Sequence, residues 1–145
     1  MELKIKKVRD NAVIPTYESE AAAACDLYAC VDESITIKPH ETAFIPTGLA
    51  MAIPVGYGGF IYARSGLSCK NGLAPANKVG VIDADYRGEV MVALHNHSIE
   101  EKTIEPNERI AQLVIAPYLK VDFKEVEELD ETDRGEGGFG STGRK

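Results

Sequence analysis

At 145 residues, with 44% hydrophobic and 27% charged residues, the chain suits a single soluble globular domain, long enough to bury a core. Its 16 Lys and Arg against 23 Asp and Glu leave a net charge of −7. That balance argues against a general nucleic-acid coater, though not against a small anion held by a few placed arginines, and apolar stretches broken by Gly, Pro or charge argue against a membrane span.

The N-terminal MELKIKKVRD carries no apolar signal region, so a cytoplasmic location is expected. Residues 18–24, ESEAAAA, have helix-forming composition but lie between Pro15 and a β-like DLYACV, so propensity and context disagree there. Cys25, Cys30 and Cys69 have no CxxC spacing and are expected as reduced thiols, with no zinc site. Residues 34–38, SITIK, and 89–94, EVMVAL, read as strands. Residues 65–70, SGLSCK, with Ser65 as a cap and Asn71-Gly72 beyond, predict one short helix. In residues 118–124, Leu119, Val121 and Phe123 alternate with Lys120, Asp122 and Lys124, the period of a strand. Seven prolines from Pro15 to Pro117 punctuate these segments, and no long stretch has a 3.6-residue apolar period. The expected class is all-β: a sandwich, barrel or jelly roll.

Three segments carry candidate chemistry. Arg64-Ser65-Gly66 opens the expected helix, where free N–H groups and the dipole favour phosphate; Gly66 allows close approach and Arg64 adds a charged fork. In residues 77–89, NKVGVIDADYRGE, Gly80 suits a hairpin, and Asp83 and Asp85 would share a face of a strand. Such a pair could position water or hold Mg²⁺, or could be turn residues before Arg87-Gly88. In residues 108–113, ERIAQL, Gln112 is a polar group in a strand and needs partners. Four of the six arginines (64, 87, 109, 134) fall in these segments or in the tail, a hint of a local cationic pocket. His95 and His97 share a strand face and read as surface residues.

Five of the thirteen glycines (135, 137, 138, 140, 143) lie in the last eleven residues, after an acidic run. Phe139 stands among them, with Arg134, Ser141 and Thr142 nearby. Such a segment reads either as a frayed end or as a lid that orders over something flat and anionic.

Taken in order, five motifs resemble those of the trimeric dUTP pyrophosphatases, the dUTPases, over nearly the whole chain. They are Ala24-Cys25-Asp26-Leu27-Tyr28-Ala29, Ala63-Arg64-Ser65-Gly66-Leu67-Ser68, residues 80–89 (GVIDADYRGE), residues 108–113 (ERIAQL) and residues 134–143 (RGEGGFGSTG). Cys25 departs from the glycine usual there, and Ser68 from a frequent alanine. The resemblance implies a jelly-roll-like β fold, with residues 1–126 as the core and 127–145 as an acidic linker and Gly-rich C-terminal arm. It implies a homotrimer with active sites at subunit interfaces, and no nucleic-acid or membrane partner. The activity implied is Mg²⁺-dependent hydrolysis of dUTP to dUMP and pyrophosphate, limiting uracil incorporation into DNA and supplying dUMP for thymidylate synthesis.

The same resemblance distributes roles. Asp83 would orient the attacking water and contact the sugar 3′-OH, and Tyr86 would lie under the deoxyribose and leave no room for a 2′-OH. Asn77 and backbone groups of Gly80, Val81 and Ile82 would read the uracil edge, with Met91 lining the same pocket. Arg64, Ser65 and Gly66 would hold phosphates. Asp26 and Gln112 would reach phosphate or Mg²⁺ through water, with no direct protein ligand to the metal. Arg134 would hold the γ-phosphate and Phe139 would stack on uracil, with Gly140 and Ser141 beside it. The resemblance also counts against a helix over 18–24. A dCTP deaminase shares this fold, but needs a base beside C4 of cytosine; a non-catalytic nucleotide-binding module is the other rival.

Overall fold

The computed structural model describes residues 1–138 of the chain. Eleven strands and one helix follow in the order β1 (Lys4–Lys7), β2 (Cys25–Tyr28), β3 (Ile35–Ile37), β4 (Thr42–Pro46), β5 (Leu49–Ala52), β6 (Tyr57–Tyr62), α1 (Ser65–Asn71), β7 (Leu73–Pro75), β8 (Gly80–Ile82), β9 (Met91–Asn96), β10 (Lys102–Ile104) and β11 (Arg109–Pro117). The fold is therefore all-β with a single short helix. Among the described residues the strands form four sheets and no closed barrel: β2-β11-β6-β8, β4-β9-β7, β1-β5 and β10-β3, all paired antiparallel. No helix is long and apolar enough to cross a membrane among the described residues.

Short β-rich runs separated by proline and turn residues form strands because each buries one or two large side chains against the same core. Leu27, Ile45, Leu49, Leu94, Ile104 and Ile110, from six different strands, are fully buried there. Two buried polar groups join the sheets without orphaned atoms. Thr47 Oγ1 donates to Val90 O at 2.7 Å, and Asn96 Nδ2 donates to Ile37 O at 2.9 Å and Glu100 O at 2.7 Å. The Asn96 Oδ1 accepts from the N–H and hydroxyl of Ser98. Buried polar groups cost free energy unless bonded, so these bonds fix how the β9 end meets β3.

Residues 18–24, where propensity and context disagree, form turns and bends as the resemblance implied, Ala22 N–H bonding back to Ser19 O. Several other expectations are corrected. Ser65 is the first residue of α1 rather than its cap: Arg64 occupies that position in extended conformation, with no side-chain capping bond. Gly72 ends the helix at φ 70°, its N–H returned to Leu67 O and Ser68 O, and buried Leu67 anchors it. Gly80 is not a hairpin turn. It is the first residue of β8, beside Ile61, and the left-handed position of the preceding turn falls on Lys78 at φ 65°. Residues 118–124 form no strand, because nothing among the described residues covers their apolar side: Leu119 is 92% exposed and Phe123 95%.

Candidate active site

Antiparallel pairing of β6 with β8 sets Gly80 against Ile61 and Ile82 against Gly59. An added Cβ at Gly80 would stand 3.2 Å from Ile61 Cβ and 3.4 Å from Asn77 Nδ2, so glycine here draws the Asn77 amide close to the strand. The chain leaves β8 at Ile82 and turns immediately. Asp83 O accepts from Tyr86 N–H at 3.2 Å, and Ala84 and Asp85 occupy the turn. Asp83 and Asp85 thus lie in a turn instead of sharing a strand face. Arg87 Nη1 fastens the turn through Ala84 O at 2.7 Å and Tyr86 O at 2.9 Å.

A cleft of about 240 Å³ opens beside this segment. Asn77, Gly80, Val81 and Ile82 line it, as do Asp83, Tyr86 and Met91, together with Ile61, Glu89 and Val90. The polar side chains of Asn77, Asp83 and Glu89 share its lining with the apolar walls of Ile61, Ile82, Val90 and Met91. Asp85 lies outside this cleft, along a second groove that runs past Phe60 and Arg87 and that Asp83 also borders.

The cationic residues gather elsewhere. Asp26 on β2 stands opposite Gln112 on β11, which in turn pairs with Tyr62 on β6, two residues before Arg64. This register brings the start of α1 to the same place as both polar strand residues. Arg64 Nε donates to Asp26 Oδ1 at 2.8 Å, and Arg109 Nη1 donates to Asp26 Oδ2 at 3.3 Å and to Glu18 Oε1 at 3.0 Å. Gln112 Nε2 donates to Ala63 O at 2.7 Å, which answers the need for a partner. Together with Ser65, Gly66 and the alanines 22–24, these residues surround a concavity of about 380 Å³. Open space lies where a Cβ on Gly66 would point, so an anion can approach the backbone there. Two guanidinium groups thus stand beside the carboxylates of Asp26 and Glu18, and their N–H forks are the donors with which arginine recognises phosphate.

The site residues expected from sequence therefore fall into two concavities with no lining residue in common. Arg134 borders neither; it is exposed, and its Nε donates to Gly137 O at 2.7 Å within its own turn. Phe139, Gly140 and Ser141 lie outside the described residues. Glu18, Glu89 and Arg109 line the clefts without having been assigned a role from sequence. Arg109 and Glu89 carried a signal, as members of the quoted motifs, and Glu18 carried none.

Glu89 accepts from Arg9 at both oxygens, Nε to Oε1 at 2.8 Å and Nη2 to Oε2 at 3.2 Å, and its Oε1 also accepts Gly48 N–H at 2.9 Å. The Arg9 hydrogen bond holds the Glu89 carboxyl below its ordinary pKa. Burial pushes the Cys25 thiol up; its Sγ packs 3.6 Å from Leu113 O, and β2 remains regular around it. His95 and His97 rings lie 4.5 Å apart, with the His97 pKa lowered by desolvation and by its neighbour's charge.

A family model described as dUTPase matches residues 10–143 of the chain. Relatives named deoxyuridine 5′-triphosphate nucleotidohydrolase include one from Syntrophotalea carbinolica, 50% identical over 97% of this chain and 96% of its own length. Another, from Nautilia profundicola, is 51% identical over 99% of this chain and 100% of its own. Among solved structures, a Staphylococcus bacteriophage 80alpha dUTPase mutant with dUpNHpp superposes with TM-score 0.89 at 32% identity, covering 98% of both chains. A mutant dUTPase from phage phi11 of S. aureus, described with a coordinated structural Mg(II) ion, superposes with TM-score 0.82 at 27% identity over 90% of this chain and 100% of that one.

Proposed function

The chain belongs to the dUTPase family, and from that premise we propose that it is a dUTP diphosphatase, hydrolysing dUTP to dUMP and pyrophosphate. In the cell, where we propose a cytoplasmic location, this limits uracil incorporation into DNA and supplies dUMP for thymidylate synthesis. The observation that carries the reading is the division of labour between the clefts. One offers Asn77, Asp83 and Tyr86 to a base and sugar; the other offers Arg64, Ser65, Gly66 and Gln112 to phosphates.

Asn77 and the backbone of Gly80 to Ile82 read the uracil edge, with Met91 against the ring. Tyr86 lies under the deoxyribose and rejects a 2′-OH by sterics. Asp83 orients the water that enters as the α–β phosphoanhydride breaks and pyrophosphate leaves; its carboxylate is exposed at the mouth of the cleft, where water can reach it. Arg64 and the start of α1 hold the triphosphate. Arg134 takes the γ-phosphate, and Phe139 closes over the uracil with Gly140 and Ser141, from the arm formed by residues 127–145.

The residues present also fit Mg²⁺ in one particular way. Asp26 is a single carboxylate whose two oxygens are both engaged by arginines. That donor set suits a hard cation that keeps its waters and draws inner ligands from phosphate oxygens. Asp26 and Gln112 would hold it through water, and the ion would neutralise charge on the triphosphate. The working assembly is a homotrimer with active sites at subunit interfaces, supported by two concavities of complementary chemistry that share no lining residue within one chain.

Incubation with dUTP, dCTP and UTP, each with Mg²⁺, tests the reading. dUMP and pyrophosphate should form from dUTP, with UTP turned over far more slowly. Release of dUTP from dCTP would make the protein a deaminase, and nucleotide binding without turnover would make it a binding module. A mass measurement in solution checks the trimer.

A further inference from the structure

Tyr86 is exposed over 47% of its surface, yet its hydroxyl is tied down: Oη donates to Glu89 O at 3.0 Å. The acceptor is itself fixed from the other side. The Glu89 side chain is gripped by the Arg9 fork, 80 residues away in sequence, and by Gly48 N–H beside β5. Between them stands Gly88, where any Cβ would collide with Tyr86 Oη, so the tyrosine side chain packs directly against bare backbone. A phenol on an exposed turn would otherwise sample several rotamers, and a ring that yields cannot exclude a hydroxyl by sterics.

We propose that Arg9 and Glu89 are positioning residues for Tyr86, holding the strap on which its ring is pinned so that the cleft discriminates deoxyribose from ribose. The proposal rests on the reading of Tyr86 as the sugar-facing residue. Arg9 lines neither cleft and reaches Tyr86 only through Glu89. The chain of contacts runs from the segment after β1, through one bidentate ion pair, to a backbone carbonyl and then to a phenol. Gly48 N–H adds a second fixed donor, so the carboxylate cannot swing away while Arg9 is in place.

The test compares kcat/KM for dUTP and UTP in the full-length protein and in Arg9→Met, Arg9→Lys, Tyr86→Phe, Tyr86→Ala and the Arg9→Met/Tyr86→Phe double variant. Losing one well-placed hydrogen bond should narrow the dUTP-to-UTP ratio about three- to tenfold in Arg9→Met and in Tyr86→Phe. The double variant should be no worse than Tyr86→Phe, because both changes release the same ring. Arg9→Lys, which keeps the charge, should recover part of the ratio. A merely structural role for Arg9 would lower both substrates together and leave the ratio unchanged; with Tyr86→Ala narrowing the ratio, that result overturns the proposal alone. If Tyr86→Ala also leaves the ratio unchanged, the sugar-facing reading fails and the proposal with it. Should Arg9→Met not fold, an unchanged ratio in Tyr86→Phe overturns the proposal by itself.

Discussion

Arg64 and Asp26, 38 residues apart in the chain, meet at 2.8 Å on the wall of the arginine-lined cleft. The carboxylate is the more deeply placed partner, its side chain 10% exposed against 27% for Arg64. Removing it in Asp26→Ala would leave Arg64 and Arg109 facing each other without their shared counter-charge. Stability should fall by about 1–3 kcal/mol, below the range for fully buried pairs because both arginines retain solvent contact. The urea midpoint should drop with little change in slope.

Asp83→Asn keeps the shape of the turn and removes the base. Turnover of dUTP should fall by roughly a hundredfold or more while dUTP binding persists. Asp85→Asn, altering a residue outside the recognition cleft, serves as the control and should retain most activity. Single-turnover kinetics beside equilibrium binding would show the split. Near-normal turnover in Asp83→Asn would remove the catalytic assignment.

A chain ending at Asp133 loses Arg134, Phe139 and Ser141 but no strand or helix of the core. It should fold, assemble and bind dUMP, yet hydrolyse dUTP roughly a hundredfold more slowly, since closure over the triphosphate fixes the reacting geometry. Phe139→Ala should reproduce part of the loss, about 1–3 kcal/mol for one stacked base. Full activity of the shortened chain would show a frayed end, and loss of assembly a structural clasp.

Gly48 has φ 70°, and a Cβ there would lie 2.6 Å from both Ala12 Cβ and Cys30 Sγ. Gly48→Ala should therefore cost at least about 2 kcal/mol, from overpacking and from a left-handed backbone together. Thermal unfolding measures it. The same change should disturb Glu89, whose carboxylate accepts the Gly48 N–H.

Acid should weaken the Arg9–Glu89 tie in a defined direction. Arg9 holds the Glu89 carboxyl below its ordinary pKa in the folded chain. The unfolded chain therefore takes up that proton first as pH falls. Stability from the pair is complete above the ordinary carboxylate range and is lost as pH drops through it toward the depressed folded value. Arg9→Met should flatten this part of the stability-against-pH curve, as read by urea titrations at several pH values.

Local chemistry was legible in the sequence. Asn71-Gly72 marks the end of the helix, and the short β-rich runs between prolines form strands. Position in three dimensions was less so. An alternating pattern in residues 118–124 specifies which side chains share a face, but a strand also needs a partner, and none among the described residues supplies one. Asp83 and Asp85 carry strand spacing, yet the chain turns at Asp83, so both border the second groove and only Asp83 also reaches the first cleft. A glycine at 80 suggested a turn, whereas steric closeness to Ile61 and Asn77 explains it, and Lys78 takes the left-handed angle instead. The Arg9–Glu89 tie spans 80 residues, and no local pattern encodes a contact at that separation.

The three cysteines divide by accessibility: Cys25 and Cys30 are buried, and Cys69 is exposed on α1. A maleimide dye added to the native chain should consequently attach at one place, with no cysteine removed beforehand. That place is five residues after Arg64, on the helix whose first turn borders the arginine-lined cleft. Burial raises the Cys25 and Cys30 thiols as well, so at neutral pH they hold less of the reactive thiolate than an ordinary cysteine. The sequence thus carries its own attachment point for a spectroscopic reporter, on the helix that opens at that cleft.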